Sequence, residues 1–221
     1  MIKVVVFDLD DTLFPEHQFV MSGFRAVSNW LATKYSVHDF FEVAWQFFQK
    51  GIRKNIFNLA LEKIKVKYES HLILELVQIY RQHEPSISLY EDAKWAINHF
   101  KINNKLGILT DGYLPTQQKK VEALCIESKF DAIIYSELYG RENWKPSPLP
   151  YQKMMELLGC HGKDCVYVGD NPVKDFVTAK NLGWLTVQIC RQGGEYSQIT
   201  MGESHEANFR VESLMELKNL I

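Results

Sequence analysis

A chain of 221 residues exceeds the commonest single-domain size and falls short of three domains, so it holds one or two. Lys and Arg number 25 against 27 Asp and Glu, a formal net charge of −2, which excludes the basic footprint of a nucleic-acid binder. With 46% hydrophobic and 13% aromatic residues, the chain has apolar surface enough to offset the entropy of ordering, which excludes a disordered protein.

The first predicted element is Val4-Val5-Val6-Phe7, a β-branched block ending on acidic and turn residues, as in a strand buried on both faces of a parallel sheet. Its apolar run meets Asp8 and Asp10 too soon for a secretory leader. From about Pro15 to Pro85 no β-rich block interrupts apolar residues at helical spacing, and four helices are expected. Val20, Phe24, Val27 and Leu31 line the first. Asp39 is placed to cap a second that runs through Phe48 and stops near Gly51. Ile56, Leu59, Lys63 and Ile64 mark the third, and Leu72, Leu76, Val77 and Tyr80 the fourth. Proline at Phe14-Pro15 and at Pro85-Ser86 discourages helix across either joint.

Beyond that stretch, short apolar blocks alternate with helical patterns. The blocks are Lys105–Thr110, Asp131–Tyr135, Cys165–Gly169 and Leu185–Cys190; this alternation favours βαβ units. Ala93, Ala96, Ile97 and Phe100 share one helical face. Ser147-Pro148 opens a helix that closes at Gly159, and Asn171-Pro172 opens another that closes at Gly183. The segment from Gly193 to His205 is polar and carries no element, while Asn208 to Ile221 reads as a short strand and a closing helix. The expected fold is therefore α/β: a Rossmann-like parallel sheet flanked by helices, from residues 1–14 and 87–221, with a helical domain inserted at 15–86. No run approaches the length of a membrane helix. Cys125, Cys160, Cys165 and Cys190 form no CxxC and are sparse for a disulfide scaffold, so reduced thiols and a cytoplasmic location are expected.

In open parallel sheets ligands bind beyond the carboxyl ends of the strands, and here those ends are polar. The first strand runs into Asp8-Leu9-Asp10-Asp11-Thr12, the second into Thr110-Asp111-Gly112, and the fourth into Gly169-Asp170-Asn171 with Asp175 close behind. Asp8 and Asp10, two residues apart in extended chain, point the same way. Clustered acids are costly without a cation, and hard oxygen ligands suit Mg²⁺. Mg²⁺ in turn suits an anionic, phosphorylated small-molecule substrate. Thr110 offers that phosphate a hydroxyl, Gly112 room for backbone N–H groups, and Lys145, in Trp144-Lys145-Pro146-Ser147-Pro148, a cation. One aspartate can attack phosphorus while a second carboxyl moves protons.

Taken in order, DLDDTL (Asp8 to Leu13), ILTDG (Ile108 to Gly112), KPSP (Lys145 to Pro148) and GDNPVKD (Gly169 to Asp175) resemble the four motifs of the haloacid dehalogenase-like (HAD) hydrolases. The helical insert resembles the C1-type cap of that superfamily. The resemblance implies Asp8 as nucleophile, forming an aspartyl-phosphate, and Asp10 as general acid and base. It implies Mg²⁺ held by Asp8, the main-chain carbonyl of Asp10 and Asp170. Thr110, Asp111, Gly112 and Lys145 would bind the phosphoryl group, and Asp175 would orient Lys145 or the metal's water shell. An aspartate at position 10 implies phosphoryl transfer rather than dehalogenation, since an alkoxide needs a proton to leave and a halide does not. Asp111 stands where many relatives carry Asn, and its charge beside a phosphate predicts a side chain turned outward.

The implied activity is a phosphatase acting on a sugar phosphate or nucleoside monophosphate. A phosphomutase sharing its intermediate is the alternative, and a catalytically idle binding protein the third choice. Monomer and homodimer are both compatible with the sequence. Cys160, His161 and Cys165 lack a second pair at zinc spacing. The aromatic helix at Phe40, Phe41, Trp45, Phe47 and Phe48 reads as core, and His17, Arg25, Arg53, Lys54 and Tyr113 as solvated side chains.

Overall fold

The computed structural model describes residues 2–221, which divide into two compact units: 2–16 with 88–221, and His17–Ile87. The larger unit holds a six-stranded, all-parallel sheet of β1 (Val4–Phe7), β2 (Lys105–Thr110), β3 (Ala132–Tyr135), β4 (Cys165–Gly169), β5 (Leu185–Ile189) and β6 (Phe209–Val211). Its order is β3-β2-β1-β4-β5-β6, so β1 is central, with Val4 opposite Lys105 on one side and Cys165 on the other. A strand so enclosed has no polar face to offer. The run of four apolar residues in β1 is accordingly buried throughout, whereas edge strand β6 exposes Phe209 and Arg210. Val4 and Val6 pack with Tyr151, Met154 and Leu158 of a helix spanning Pro148–Leu158, and with Phe176, Ala179 and Trp184.

The helical unit contains α1 (Glu16–Tyr35, its first residue lying in the larger unit), α2 (Phe40–Gln49), α3 (Ile56–Lys63) and α4 (Ser70–Gln82). Val20, Phe24, Val27 and Leu31 of α1 bury against Phe40 and Ala44, Ile56, Phe57, Ala60 and Leu61, and Leu72 and Leu76. Two details depart from the sequence reading. Asp39 stands at the N-cap position of α2 without a capping hydrogen bond from its side chain. The buried face of α3 is Ile56, Phe57, Ala60 and Leu61, with Lys63 exposed, a rotation of the stripe that tertiary packing imposes on a short helix.

In the larger unit, α5 (Glu91–Phe100), α6 (Leu114–Ala123), α7 (Pro148–Leu158) and α8 (Val177–Asn181) flank the sheet. The helix expected from Asn171-Pro172 starts only at Val177. The intervening residues are held as a turn, because the Asn171 side chain accepts the Val173 N–H at 3.0 Å and the Asp175 carboxylate accepts the Asn171 N–H at 3.0 Å. The closing helix is a 3₁₀ segment, Leu214–Asn219, capped by Ser213 and Glu216. Residues 193–205 form turns tied down by side chains: Lys180 donates to the Glu203 carbonyl at 2.8 Å, and Arg210 to the Ser197 carbonyl at 2.9 Å. Among the described residues, no helix is long and apolar enough to cross a membrane.

Candidate active site

Moving outward from β1, the chain runs to β2 and β3 on one side and to β4, β5 and β6 on the other, so a crevice opens beyond the carboxyl ends of β1 and β4. Asp8 follows β1 and Asp170 follows β4. With Asp175, they place carboxylate oxygens within 4.8 Å of one another, all three residues buried; this is the one such cluster among the described residues. Gly169 makes the arrangement possible: a Cβ there would lie 2.4 Å from Asp175 Oδ2, the oxygen that folds back onto the Asn171 N–H.

Lys145 enters this cluster with a fully enclosed side chain. Its Nζ lies 2.6 Å from Asp8 Oδ1 and 2.8 Å from Asp175 Oδ1, and donates to Tyr167 Oη at 2.8 Å. The Tyr167 hydroxyl in turn donates to the Leu109 carbonyl at 3.2 Å. The loop carrying Lys145 is held by the Lys145 N–H on Asp111 Oδ1 at 3.1 Å, by a cis Lys145-Pro146 bond, and by the Thr178 hydroxyl donating to the Pro146 carbonyl. Burial disfavours the lysine's charge, but Asp175 and Asp8 outweigh it and hold Lys145 well above the ordinary lysine range.

Asp8 responds to the same surroundings. Burial, reinforced by Asp175 and opposed by Lys145, pushes its carboxyl up to about 6. Burial and then the Asp175 and Asp8 charges drive Asp170 well above the usual carboxylate range. One buried ammonium does not balance three buried carboxylates, and the upward shifts of Asp8 and Asp170 mark the deficit.

The remaining predicted residues lie around this cluster. Thr110, at the end of β2, is buried, and its Oγ1 accepts from Gln117 Nε2 at 2.6 Å. Gly112 has φ +140°, open to glycine alone, and a Cβ there would meet Gln117 at 3.0 Å. Asp111 does not turn out to solvent as expected. Its side chain, 4% exposed, accepts from the Ser136 hydroxyl at 2.6 Å and faces Lys174 Nζ at 3.1 Å. Burial resists this charge, but Lys145 and Lys174 with the Ser136 bond hold its carboxyl below the usual range. The Asp10 carboxylate stands apart from the cluster, one oxygen on Lys120 Nζ at 2.6 Å and the other on Gln117 Nε2 at 2.9 Å.

Sequence reasoning did not find Gln117, Lys120, Ser136, Tyr167 or Lys174. The one available signal lay in α6, where Thr116, Gln117 and Lys120 are polar at positions that the structure buries.

A family model described as haloacid dehalogenase-like hydrolase matches residues 5–189, most of the chain. The chain belongs to this family. The HAD-hydrolase assignment agrees with curated relatives. A glyceraldehyde 3-phosphate phosphatase of Methanocaldococcus jannaschii is 29% identical over 232 residues, covering 100% of this chain and 97% of the relative. The N-acylneuraminate-9-phosphatase of Rattus norvegicus is 27% identical over 243 residues, covering 100% and 94%. Among solved structures, the HAD-hydrolase YfnB from Bacillus subtilis, bound to magnesium, superimposes with a TM-score of 0.70 at 17% identity, covering 99% of this chain and 98% of that one. That likeness shows the shared fold. The chain is thus an enzyme of the HAD hydrolase fold, with the parallel sheet that its sequence implied.

Proposed function

We propose that this HAD hydrolase is a Mg²⁺-dependent phosphatase that hydrolyses a small phosphorylated metabolite through an aspartyl-phosphate on Asp8. The carrying observation is the buried set of Asp8, Asp170 and Asp175 around a single lysine, Lys145. The set fits the metal: three carboxylates against one ammonium leave two negative charges, the donors are all oxygen, and a small divalent cation balances both demands. Asp8, Asp170 and the Asp10 main-chain carbonyl would hold it. When bound, Mg²⁺ supplies positive charge to the oxygens of the transferring phosphoryl group.

The chain's own groups divide the rest of the work. An Asp8 carboxylate oxygen bonds to phosphorus as the ester P–O bond breaks, and the departing oxygen takes a proton from Asp10. Asp10 then takes a proton from water, whose oxygen attacks phosphorus, releasing inorganic phosphate and restoring the Asp8 carboxylate. With Gln117 donating to Thr110 Oγ1, the threonine hydroxyl keeps its own proton for a phosphoryl oxygen. Lys145 gives its donors to Asp8, Asp175 and Tyr167, so a phosphoryl oxygen arriving at Asp8 takes over one of these bonds. Asp175 orients Lys145. The unit His17–Ile87 serves as the cap that excludes water during the step.

The named substrates of the two curated relatives both carry phosphate on a terminal carbon of a hydroxylated chain, which favours a sugar phosphate over a nucleotide. The test is phosphate release from glyceraldehyde 3-phosphate, N-acylneuraminate 9-phosphate, other sugar phosphates, nucleoside monophosphates and 4-nitrophenyl phosphate, with MgCl₂ or chelator. The Asp8→Asn variant serves as the blank. Metal-dependent release that the variant loses is the expected result. Isomerised sugar phosphate without free phosphate would instead make the enzyme a mutase, and no turnover by folded protein would refute the phosphatase.

A further inference from the structure

The Asp10 carboxylate is the group that must face two different partners in turn, a leaving oxygen and a water. A side chain with two free torsions at the end of a loop does not hold one orientation without support. The support comes from α6, an element outside the four motifs. Gln117 and Lys120, three residues apart, project from the same face of this helix and reach back to the segment after β1. Lys120 Nζ binds Asp10 Oδ1 at 2.6 Å, and Gln117 Nε2 binds Asp10 Oδ2 at 2.9 Å.

Three features set this pair apart from ordinary surface contacts. Both residues are buried, at 2% exposure for Gln117 and 4% for Lys120, while Asp10 retains 21% side-chain exposure. Burying a lysine ammonium is unfavourable unless a carboxylate meets it, and Asp10 meets this one at 2.6 Å, with the Glu16 charge also acting on it. The ammonium also lies 5.8 Å from the centre of the Phe14 ring, whose backbone bridges to Asp10. Gln117 Nε2 is shared with Thr110 Oγ1 at 2.6 Å, so one amide sets both the proton-carrying carboxylate and a phosphate-facing hydroxyl. Its approach depends on Gly112, where a side chain would collide with Gln117.

We infer that Gln117 and Lys120 are positioning residues that clamp the two oxygens of Asp10 and aim the carboxylate at the leaving group, with Gln117 registering it against Thr110. This inference rests on the phosphatase reading above. Each carboxylate oxygen has a second lone pair, so the clamp leaves room for the proton that Asp10 transfers.

A positioned acid matters in proportion to how badly the leaving group needs a proton, which gives a signature that general structural damage lacks. The experiment compares kcat/KM, which covers the steps through departure of the leaving group, for 4-nitrophenyl phosphate and for the fastest primary alkyl phosphate of the panel. The variants are Lys120→Met, Gln117→Leu and Lys120→Arg, with thermal melts to establish folding. General acid catalysis contributes about 10²- to 10⁴-fold. The alkyl-to-aryl ratio of kcat/KM is expected to fall about 30- to 100-fold in Lys120→Met and in Gln117→Leu, with partial recovery in Lys120→Arg. If Lys120→Met fails to fold, Gln117→Leu, which leaves the ion pair intact, carries the test. A ratio that stays fixed while wild type turns over both esters overturns the clamp alone. A wild-type chain that turns over neither overturns the phosphatase reading and the clamp with it.

Discussion

Magnesium should protect the folded chain far more at pH 7.5 than at pH 5. A ligand carboxyl must shed its proton before it can bind metal. The Asp8 carboxyl, raised to about 6 by burial, is about 97% ionised at pH 7.5 and about 9% at pH 5. Apparent affinity for Mg²⁺ therefore weakens about elevenfold on acidification from this group alone, or about 1.4 kcal/mol. At a concentration 100 times the dissociation constant at pH 7.5, Mg²⁺ stabilises the fold by about 2.7 kcal/mol, a rise of about 5–10 °C in Tm for a chain of this size. At pH 5 the same concentration gives about 1.4 kcal/mol, and the upward shift of Asp170 lowers it further. In chelator the sign reverses. The unfolded Asp8 releases its proton near 3.8 and the folded one near 6, so the folded state binds more protons in that window and stability falls as pH rises through it. Differential scanning calorimetry at both pH values, with MgCl₂ or EDTA, reads both effects, and Asp8→Asn should flatten the pH dependence of the metal shift. Equal Tm gains at pH 5 and pH 7.5 would refute the assignment of the buried acids as metal ligands.

Two other outcomes follow from the same packing. Lys145→Met leaves Asp8 and Asp175 facing each other without their cation, which should cost about 3–5 kcal/mol. The loss should be smaller at pH 5 than at pH 8, because Asp8 then takes up a proton, and a pH series of melting curves checks it. Gly112→Ala forces a side chain into a φ of +140° and against Gln117, so a loss of about 1–3 kcal/mol is expected together with a lowered alkyl-to-aryl ratio in the ester comparison.

Strand β1 and its acids were legible because both physical signals lie within a few residues: an unbroken apolar run for a central strand, and carboxylates at its carboxyl end. The same holds for Thr110, Lys145 and Asp170, each placed beyond a strand or on a proline-stiffened loop. Gln117 and Lys120 were not legible, since a polar residue on a helix reads as solvent-facing until the packing of α6 turns it inward. Asp111 was misread for a related reason. Its charge argued for solvent, whereas Ser136 and Lys174, both distant in sequence, satisfy it in a buried position. The late start of α8 reflects local competition, with the Asn171 and Asp175 side chains bonding nearby N–H groups and holding the segment as a turn.

The central place of β1 also governs how the chain is made. Val4–Phe7 is synthesised well before its two neighbours in the sheet, which begin only at Lys105 and Cys165. During that interval a strand of four apolar residues has neither hydrogen-bonding partner, while the helices of His17–Ile87, whose contacts are local in sequence, have everything they need to associate. The nascent enzyme therefore carries an apolar strand unpaired until β2 has been made. Its yield in cells should respond to chaperone capacity and translation rate as well as to the stability of the finished fold.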